Sequence, residues 1–456
     1  MSTPIAPSAD DARVLAEHGQ TEAVELILAD LNGILRGKRI AFDALGKVFE
    51  QGVCLPMSLI GTDITGNTVE ETGLGYDIGD ADRVCRPVPG TLRPVPWARV
   101  PTLQLLLGME DLSGAPFAAH PRQVLSAVLD RYAARGWTPV LAVELEFYLL
   151  DAQLDATGHP RTPINPATGT RQHATQVYAL QDLDDFSAFT AAVTAACRTQ
   201  GIPADTAVAE YAPGQFEVNL HHRADALAAC DDALMLKRAV KAVAACQGMQ
   251  ASFMAKPFAH HAGSGMHLHL SVLDGEGRNL FHGTPEAPAP ALLHAIGGLQ
   301  RHVQDCMLIF APHANSYRRF VPNAFVPLHP CWGFNNRTVA MRVPYSDPAN
   351  TRIEHRIAGA DANPYLVAAA VLAAALDGIE QAMDPGPPLS GNAYAQRAPQ
   401  EPYWRQSVER FLASAFVAEH LGTTFRHVFG QQKLKELRSF EREITSLEVD
   451  WYLRHV

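Results

Sequence analysis

None of the seven cysteines (Cys54, Cys85, Cys197, Cys230, Cys246, Cys306, Cys331) forms a CxxC pair, and their number is odd. That argues against a disulfide framework or a zinc site and suits reduced, mostly buried thiols in a cytoplasmic enzyme. Long apolar runs are scarce. The longest, Tyr365 to Leu376, ends at Asp377; it is too short to span a bilayer and Ala-rich, as a buried helix is. Residues Met1 to Asp11 place Asp10 and Asp11 where a secretory leader would carry cations and then an apolar stretch. Positive charge is in deficit, with 37 Lys plus Arg against 48 Asp plus Glu and a formal net charge of −11. So acidic a chain is a poor nucleic-acid binder and favours cationic or metal-bearing ligands. There is no GxxxxGK[ST] loop, no protein-kinase signature, no short-period repeat and no low-complexity block.

What is present is an ordinary globular composition. Hydrophobic residues make up 47% of the 456 residues, enough for burial to offset the entropy of ordering the chain. At about 100–200 residues per domain this length implies two to four compact units. Residues 1–12 resemble a flexible tail. β-rich runs at Glu25–Leu31 and Arg39–Phe42, broken by Asn32-Gly33, predict strands and a turn. The proline-rich stretch Arg86–Trp97 suits a connector or extended edge. Beyond it, helical periodicity covers Pro121–Arg135, Asp185–Gln200, Ala226–Met249, Pro290–Phe310 and Asn363–Met383, with a strand at Pro139–Leu150. The organisation expected is α+β, with a small β-rich domain at 13–112 and a larger catalytic domain at 113–456.

Four segments carry chemistry. In Val143–Leu150 (VELEFYLL) side chains two apart share a strand face, so Glu144 and Glu146 point the same way and repel unless a cation sits between them. Glu210 and Glu217 flank Pro213-Gly214-Gln215. After Gly263-Ser264-Gly265, strict alternation puts His267, His269 and Ser271 on one face. Asn335–Arg342 (NNRTVAMR) is followed by Arg352–Arg356 (RIEHR), in which Arg352, Glu354 and Arg356 share a face. Singly these are equally a solvated edge, a surface loop, satisfied core histidines and an ion-pair ladder. Together, five carboxylates and one imidazole make an oxygen-rich set suited to Mg²⁺ or Mn²⁺, and the added arginines point to phosphoryl transfer.

The ordered motifs ELEF, E-x6-E, GSGMHLHLS, NSYRR, NNRTVAMR, RIEHR and DANPYL resemble the class I glutamine synthetases, and the similarity runs from Asp30-Leu31-Asn32-Gly33 to the last helices. That resemblance implies an N-terminal β-grasp domain, a glutamine-synthetase-type α/β catalytic domain, and a homododecamer with active sites between neighbouring subunits. It implies ATP as cosubstrate, phosphorylation of the glutamate side chain, and displacement of phosphate by an amine. By motif, Glu146, Glu210 and Glu217 match one metal set, and Glu144, His267 and Glu354 the other. Gly263, Arg319 and Arg356 match glutamate-binding positions, Arg337 and Arg342 face the transferring phosphoryl group, and His269, Ser271, Arg342 and Arg352 match the nucleotide side. Arg319, Arg337 and Arg356 are the catalytic arginines of this scheme.

Two departures matter more than the matches. Ammonia-using members carry a D-G-S-S element and a flap Glu in a pattern like VPGYEAP. Here the aligned stretches are Leu55-Pro56-Met57-Ser58-Leu59-Ile60 and Val321-Pro322-Asn323-Ala324-Phe325-Val326-Pro327. Pro56 and Phe325 therefore replace both acids, which suits an organic amine with a carbon chain, such as a polyamine. In this respect the chain resembles γ-glutamylpolyamine synthetases, glutamate–putrescine ligases among them. Ligases for ethanolamine or a monoamine, glutamine synthetase proper and a non-catalytic regulatory paralogue are the alternatives. Tyr394 stands in Asn392-Ala393-Tyr394-Ala395-Gln396, without the flanking residues of the family's nucleotidylation segment.

Overall fold

The computed structural model describes residues 5–395 and 402–456. Fourteen strands are described: β1 (Ala23–Ala29), β2 (Leu35–Ala41), β3 (Val53–Pro56), β4 (Asp82–Pro87), β5 (Arg93–Pro94), β6 (Thr102–Met109), β7 (Thr138–Asp151), β8 (Ala204–Ala209), β9 (Gln215–Leu220), β10 (Met249–Ser252), β11 (Met266–Leu273), β12 (Trp332–Phe334), β13 (Met341–Val343) and β14 (Ile353–His355). They form two sheets. The first has the order β2-β1-β6-β4-β3, with β5 on β6; β1 is antiparallel to β2 and parallel to β6. The second runs β12-β13-β14-β11-β7-β9-β8, with β10 on β7.

The β1–β2 connection follows from Asn32-Gly33. Gly33 has φ +74°, and Asp30 Oδ1 accepts from the backbone N–H groups of Asn32 (2.9 Å) and Ile34 (2.8 Å). Asp30 is fully buried, and burial pushes its carboxyl up to about 6 although Arg36 donates to it at 2.9 Å. Strand β2 (LRGKRIA) is a charged outer edge, which resists edge-to-edge pairing.

The expected tail is shorter in the structure. Residues 1–4 lie outside the described residues, but Ala9–Glu17 is a helix capped by Ser8, whose hydroxyl accepts from Asp11 N while the Asp11 carboxylate accepts from Ser8 N. Asp11 is buried and also receives the N–H groups of Gly90 (2.8 Å) and Leu92 (3.1 Å). The signal was Ser-x-x-Asp, a capping box in a stretch that looked merely polar.

The stretch Tyr365–Leu376 is buried inside the helix Pro364–Glu380, which packs against the helix Pro290–Phe310. Among the described residues, no helix is long and apolar enough to cross a membrane. Asn363 caps that buried helix, and its amide donates to the Asp30 carbonyl at 3.1 Å, tying it to the β1–β2 turn. A second tie comes from the helix Thr423–Glu441. There Lys433 is wholly buried and donates to Asn32 Oδ1 and to Glu436 Oε2 (2.9 Å), Gln432 donates to the Thr62 carbonyl, and Glu436 accepts from Ile64 N at 2.9 Å.

Candidate active site

Cross-strand register assembles the site on one face of the second sheet. His267 on β11 lies opposite Glu144 on β7, Glu146 opposite Glu217 on β9, and His269 opposite Glu354 on β14. Arg342 on β13 lies opposite Glu354 in turn. Because pleated strands alternate faces, these pairings put Glu144, Glu146, Glu217, His267, His269, Glu354 and Arg342 side by side.

The contacts follow. Glu144 bridges both imidazoles, to His267 Nδ1 at 3.1 Å and His269 Nε2 at 2.8 Å. Burial opposes ionisation of Glu144, yet these two hydrogen bonds hold its carboxyl well below the ordinary range. Glu354, 1% exposed, is likewise opposed by burial, but Arg356 and the two histidines hold it down at about 2. Arg356 Nη1 and Arg342 Nη1 each donate to it, the latter at 2.7 Å. Burial and then the charges of Glu144, Glu146 and Glu210 push Glu217 up to about 9. Glu210, just past β8, is pushed up to about 8 by burial and Glu146, with Arg337 opposing.

Two groups of ligand atoms lie within 4.8 Å of one another: Glu144, Glu217 and His267, and Glu144, His269 and Glu354. This division differs from the one the resemblance implies. Glu146 Oε2 accepts from Gly265 N at 2.6 Å while its Oε1 stays 4.0 Å from His267 Nε2, and His269 comes in because Glu144 spans both histidines. The donor set is chemically fit for hard divalent cations, since its surplus of buried carboxylates is what such an ion relieves.

The residues expected on the nucleotide side also converge. A cavity of about 690 Å³ beside the carboxylates is lined by Glu144, His269, Ser271 and Arg352, and further by Asn350 and Ser346. Arg352 Nε donates to His269 Nδ1 at 3.1 Å. On the opposite flank Arg319 is buried, donating to the carbonyls of Ile357 (2.9 Å) and Arg356 (3.4 Å) with its Nε unpartnered. Gly263 packs directly on it: a Cβ there would meet Arg319 Cγ at 2.5 Å. Arg337 is exposed in the turn between β12 and β13.

Phe325 sits at the margin, 43% exposed, with its carbonyl 3.5 Å from Arg356 Nη2. Pro56 does not join this cluster; it ends β3 at the far edge of the first sheet. Three tyrosines also border the site: Tyr178 and Tyr211, which no motif marks, and Tyr394, which the sequence marks only by its resemblance to a modification segment. Tyr178 feels the charges of Glu210, Arg337 and Glu217; Tyr211 packs on Phe325 with ring centroids 5.7 Å apart; Tyr394 donates to the Val326 carbonyl at 3.2 Å. The signal for Tyr211 was its place directly after Glu210. Gln396, near Tyr394, lies outside the described residues.

The family description "Glutamine synthetase, catalytic domain" matches residues 118–452. The γ-glutamylputrescine synthetase PuuA of Escherichia coli (strain K12) is 44% identical over 97% of this chain and 94% of its own length. Glutamate–isopropylamine ligase of a Pseudomonas species is 33% identical, covering 84% of this chain and 83% of its own. The γ-glutamylethanolamide synthetase GlnA4 of Streptomyces coelicolor is 32% identical over 98% of this chain and 94% of its own. Among solved structures, apo GmaS superposes with a TM-score of 0.82 at 30% identity, covering 98% of this chain and 99% of that one. With a carboxylate–histidine sheet face and a family match over most of its length, the chain belongs to the glutamine synthetase family.

Proposed function

We propose that this protein is an ATP-dependent ligase that joins the γ-carboxylate of glutamate to an organic amine, most readily a polyamine such as putrescine or spermidine. The observation that carries it is Phe325 standing beside an otherwise complete carboxylate–histidine–arginine site. The names of PuuA, the isopropylamine ligase and GlnA4 support the same reaction class, each pairing a glutamyl unit with an amine.

The reaction proceeds in two steps. A γ-carboxylate oxygen attacks the γ-phosphorus of ATP, releasing ADP and leaving γ-glutamyl phosphate; the amine nitrogen then attacks the carbonyl carbon of that acyl phosphate, phosphate departs, and the nitrogen gives up a proton to leave the amide. Gly263, Arg319 and Arg356 hold the glutamate. Arg337 and Arg342 face the phosphoryl group as charge moves onto its oxygens, and His269, Ser271 and Arg352 border the nucleotide. Glu146, Glu210 and Glu217 would hold one divalent cation, Mg²⁺ or Mn²⁺, and Glu144, His267 and Glu354 a second, and such ions would supply neutralisation of phosphate charge. The parallel β1–β6 pairing beside the β1–β2 hairpin supports a β-grasp reading of residues 13–112, with the catalytic domain at 113–456. A homododecamer working in the cytoplasm completes the proposal; the distance of β3 from the cluster within one chain suits a site that takes Pro56 from a neighbour.

Phosphate release with glutamate and ATP across ammonia, putrescine, spermidine, ethanolamine and monoamines tests the reading. Putrescine or spermidine should exceed ammonia by a wide margin; equal or better turnover of ammonia overturns it.

A further inference from the structure

Phe325 and Tyr211 meet at the margin of the site in a way that the reaction as described does not use. Their rings are tilted by 40° with centroids 5.7 Å apart, and they are 43% and 56% exposed. Each is tethered to the charged cluster. Tyr211 follows Glu210 in the chain, and the Phe325 carbonyl faces Arg356, which pairs with Glu354. The loop that presents Phe325 is also held in an unfavourable conformation: φ is +52° at Phe325 and +60° at Asn323. A bulky residue in the left-handed region costs energy and persists only where its surroundings over-determine it. Here the Tyr394 hydroxyl pins the next residue through the Val326 carbonyl at 3.2 Å. Two large rings left half in water, one of them on a strained and pinned loop, are not a product of burial.

We infer that Tyr211 and Phe325 form an aromatic wedge that receives the remote ammonium of a diamine or polyamine while its near nitrogen attacks the glutamyl group. The inference rests on the glutamate–amine ligase reading and names Tyr211 as a specificity-determining residue of that site. A cation resting in the V between the rings lies within the roughly 6 Å of both centroids over which ring quadrupoles attract it. An amine without a second charge gains only apolar contact from the same surface. Ammonia, which has no chain to reach the wedge, gains nothing from it.

The test compares steady-state kinetics of the full-length enzyme on putrescine, n-butylamine and ammonia for wild type, Tyr211→Leu and Tyr211→Phe. Leucine keeps an apolar contact and removes the ring; phenylalanine keeps the ring and removes the hydroxyl. Tyr211→Leu should raise the putrescine KM about 3–30-fold, leaving n-butylamine, ATP and glutamate KM values unchanged, and Tyr211→Phe should restore the putrescine KM. Because Tyr211 is exposed, the Leu variant should melt as the wild type does. The wedge is overturned if Tyr211→Leu leaves the putrescine KM unchanged, raises that of n-butylamine equally, or is not rescued by Tyr211→Phe. A wild-type enzyme that turns over no organic amine overturns the ligase reading and the wedge together. A wild type active on putrescine with a silent Leu variant overturns the wedge alone.

Discussion

Gly263→Ala probes the proposed glutamate side of the site with a single methyl group. The backbone of Gly263 is not in the left-handed region, so alanine meets no conformational penalty and the effect is purely steric. The added Cβ would stand 2.5 Å from Arg319 Cγ and 2.7 Å from the Ala255 carbonyl oxygen, where ordinary contact begins at 3.4 Å. Something must therefore move by about 0.9 Å. The Ala255 carbonyl is held by Ser264 N at 2.9 Å, and Arg319 is buried with its guanidinium on Ile357 O at 2.9 Å, so neither yields freely. Overpacking of this kind costs about 1–3 kcal/mol, and a misplacement near 1 Å in a positioning group costs about 10²-fold in rate. The expected result is a fall of about 100-fold in kcat/KM for glutamate, with the ATP KM near wild type because the nucleotide cavity lies on the other flank. Phosphate release at varied glutamate, with saturating ATP and amine, reads it. An unaltered glutamate KM beside an unaltered melting temperature would refute the packing argument and the glutamate-binding role of Arg319.

Removing a carboxylate or imidazole from the cluster, in Glu217→Gln or His267→Ala, should abolish turnover, and chelation of the wild type should do the same reversibly on adding Mg²⁺ or Mn²⁺; full activity after either treatment would sink the metal assignment. Phe325→Glu combined with Pro56→Asp should move preference towards ammonia at low absolute rates, since a general base is worth about 10²–10⁴-fold; an unchanged amine profile in product analysis would contradict it. Glu436 gives a pH test away from the site. Burial opposes its ionisation, but Lys433 and His313 hold its carboxyl at about 2, so its contribution is fully present above the ordinary 4.5 and is lost as pH falls towards 2. That gap corresponds to about 3 kcal/mol. Glu436→Gln should lower stability at neutral pH, by leaving Lys433 buried and unpaired, and flatten the fall in melting temperature below pH 4.5; a parallel fall in both proteins would count against it.

How far the site could be read in advance depended on the range of the interaction. Period-two alternation made Glu144 with Glu146, His267 with His269, and Glu354 with Arg356 legible as same-face pairs, because a strand's faces are a local property. Register is not local. Nothing in the sequence says that Glu217 lies opposite Glu146, or that Glu144 bridges two imidazoles instead of one. Residues outside regular strands were harder still: Tyr211 and Tyr394 meet the Phe325 loop only through tertiary contacts. The helices were read well where amphipathic or Ala-rich periods were long, as in Pro290–Phe310 and Pro364–Glu380. The place of Lys433 is not legible at all, since a lysine on a helix is ordinarily solvated and this one is wholly buried.

The burial of Lys433 also sets a timetable. Its partner Asn32 precedes it by 401 positions, so the corner formed by Asn32, Thr62 and Ile64 is among the first parts of the chain to be synthesised and among the last to be closed. At about 5–20 residues per second a ribosome needs roughly 20–80 s to supply the missing helix. Through that interval the corner beside the first sheet waits with the N–H of Ile64 lacking the partner it finds in the finished molecule and the Thr62 carbonyl holding Asn32 but not Gln432. A stop codon shortly before Gln432 would therefore be felt at the opposite end of the polypeptide, in strands whose own sequence is intact.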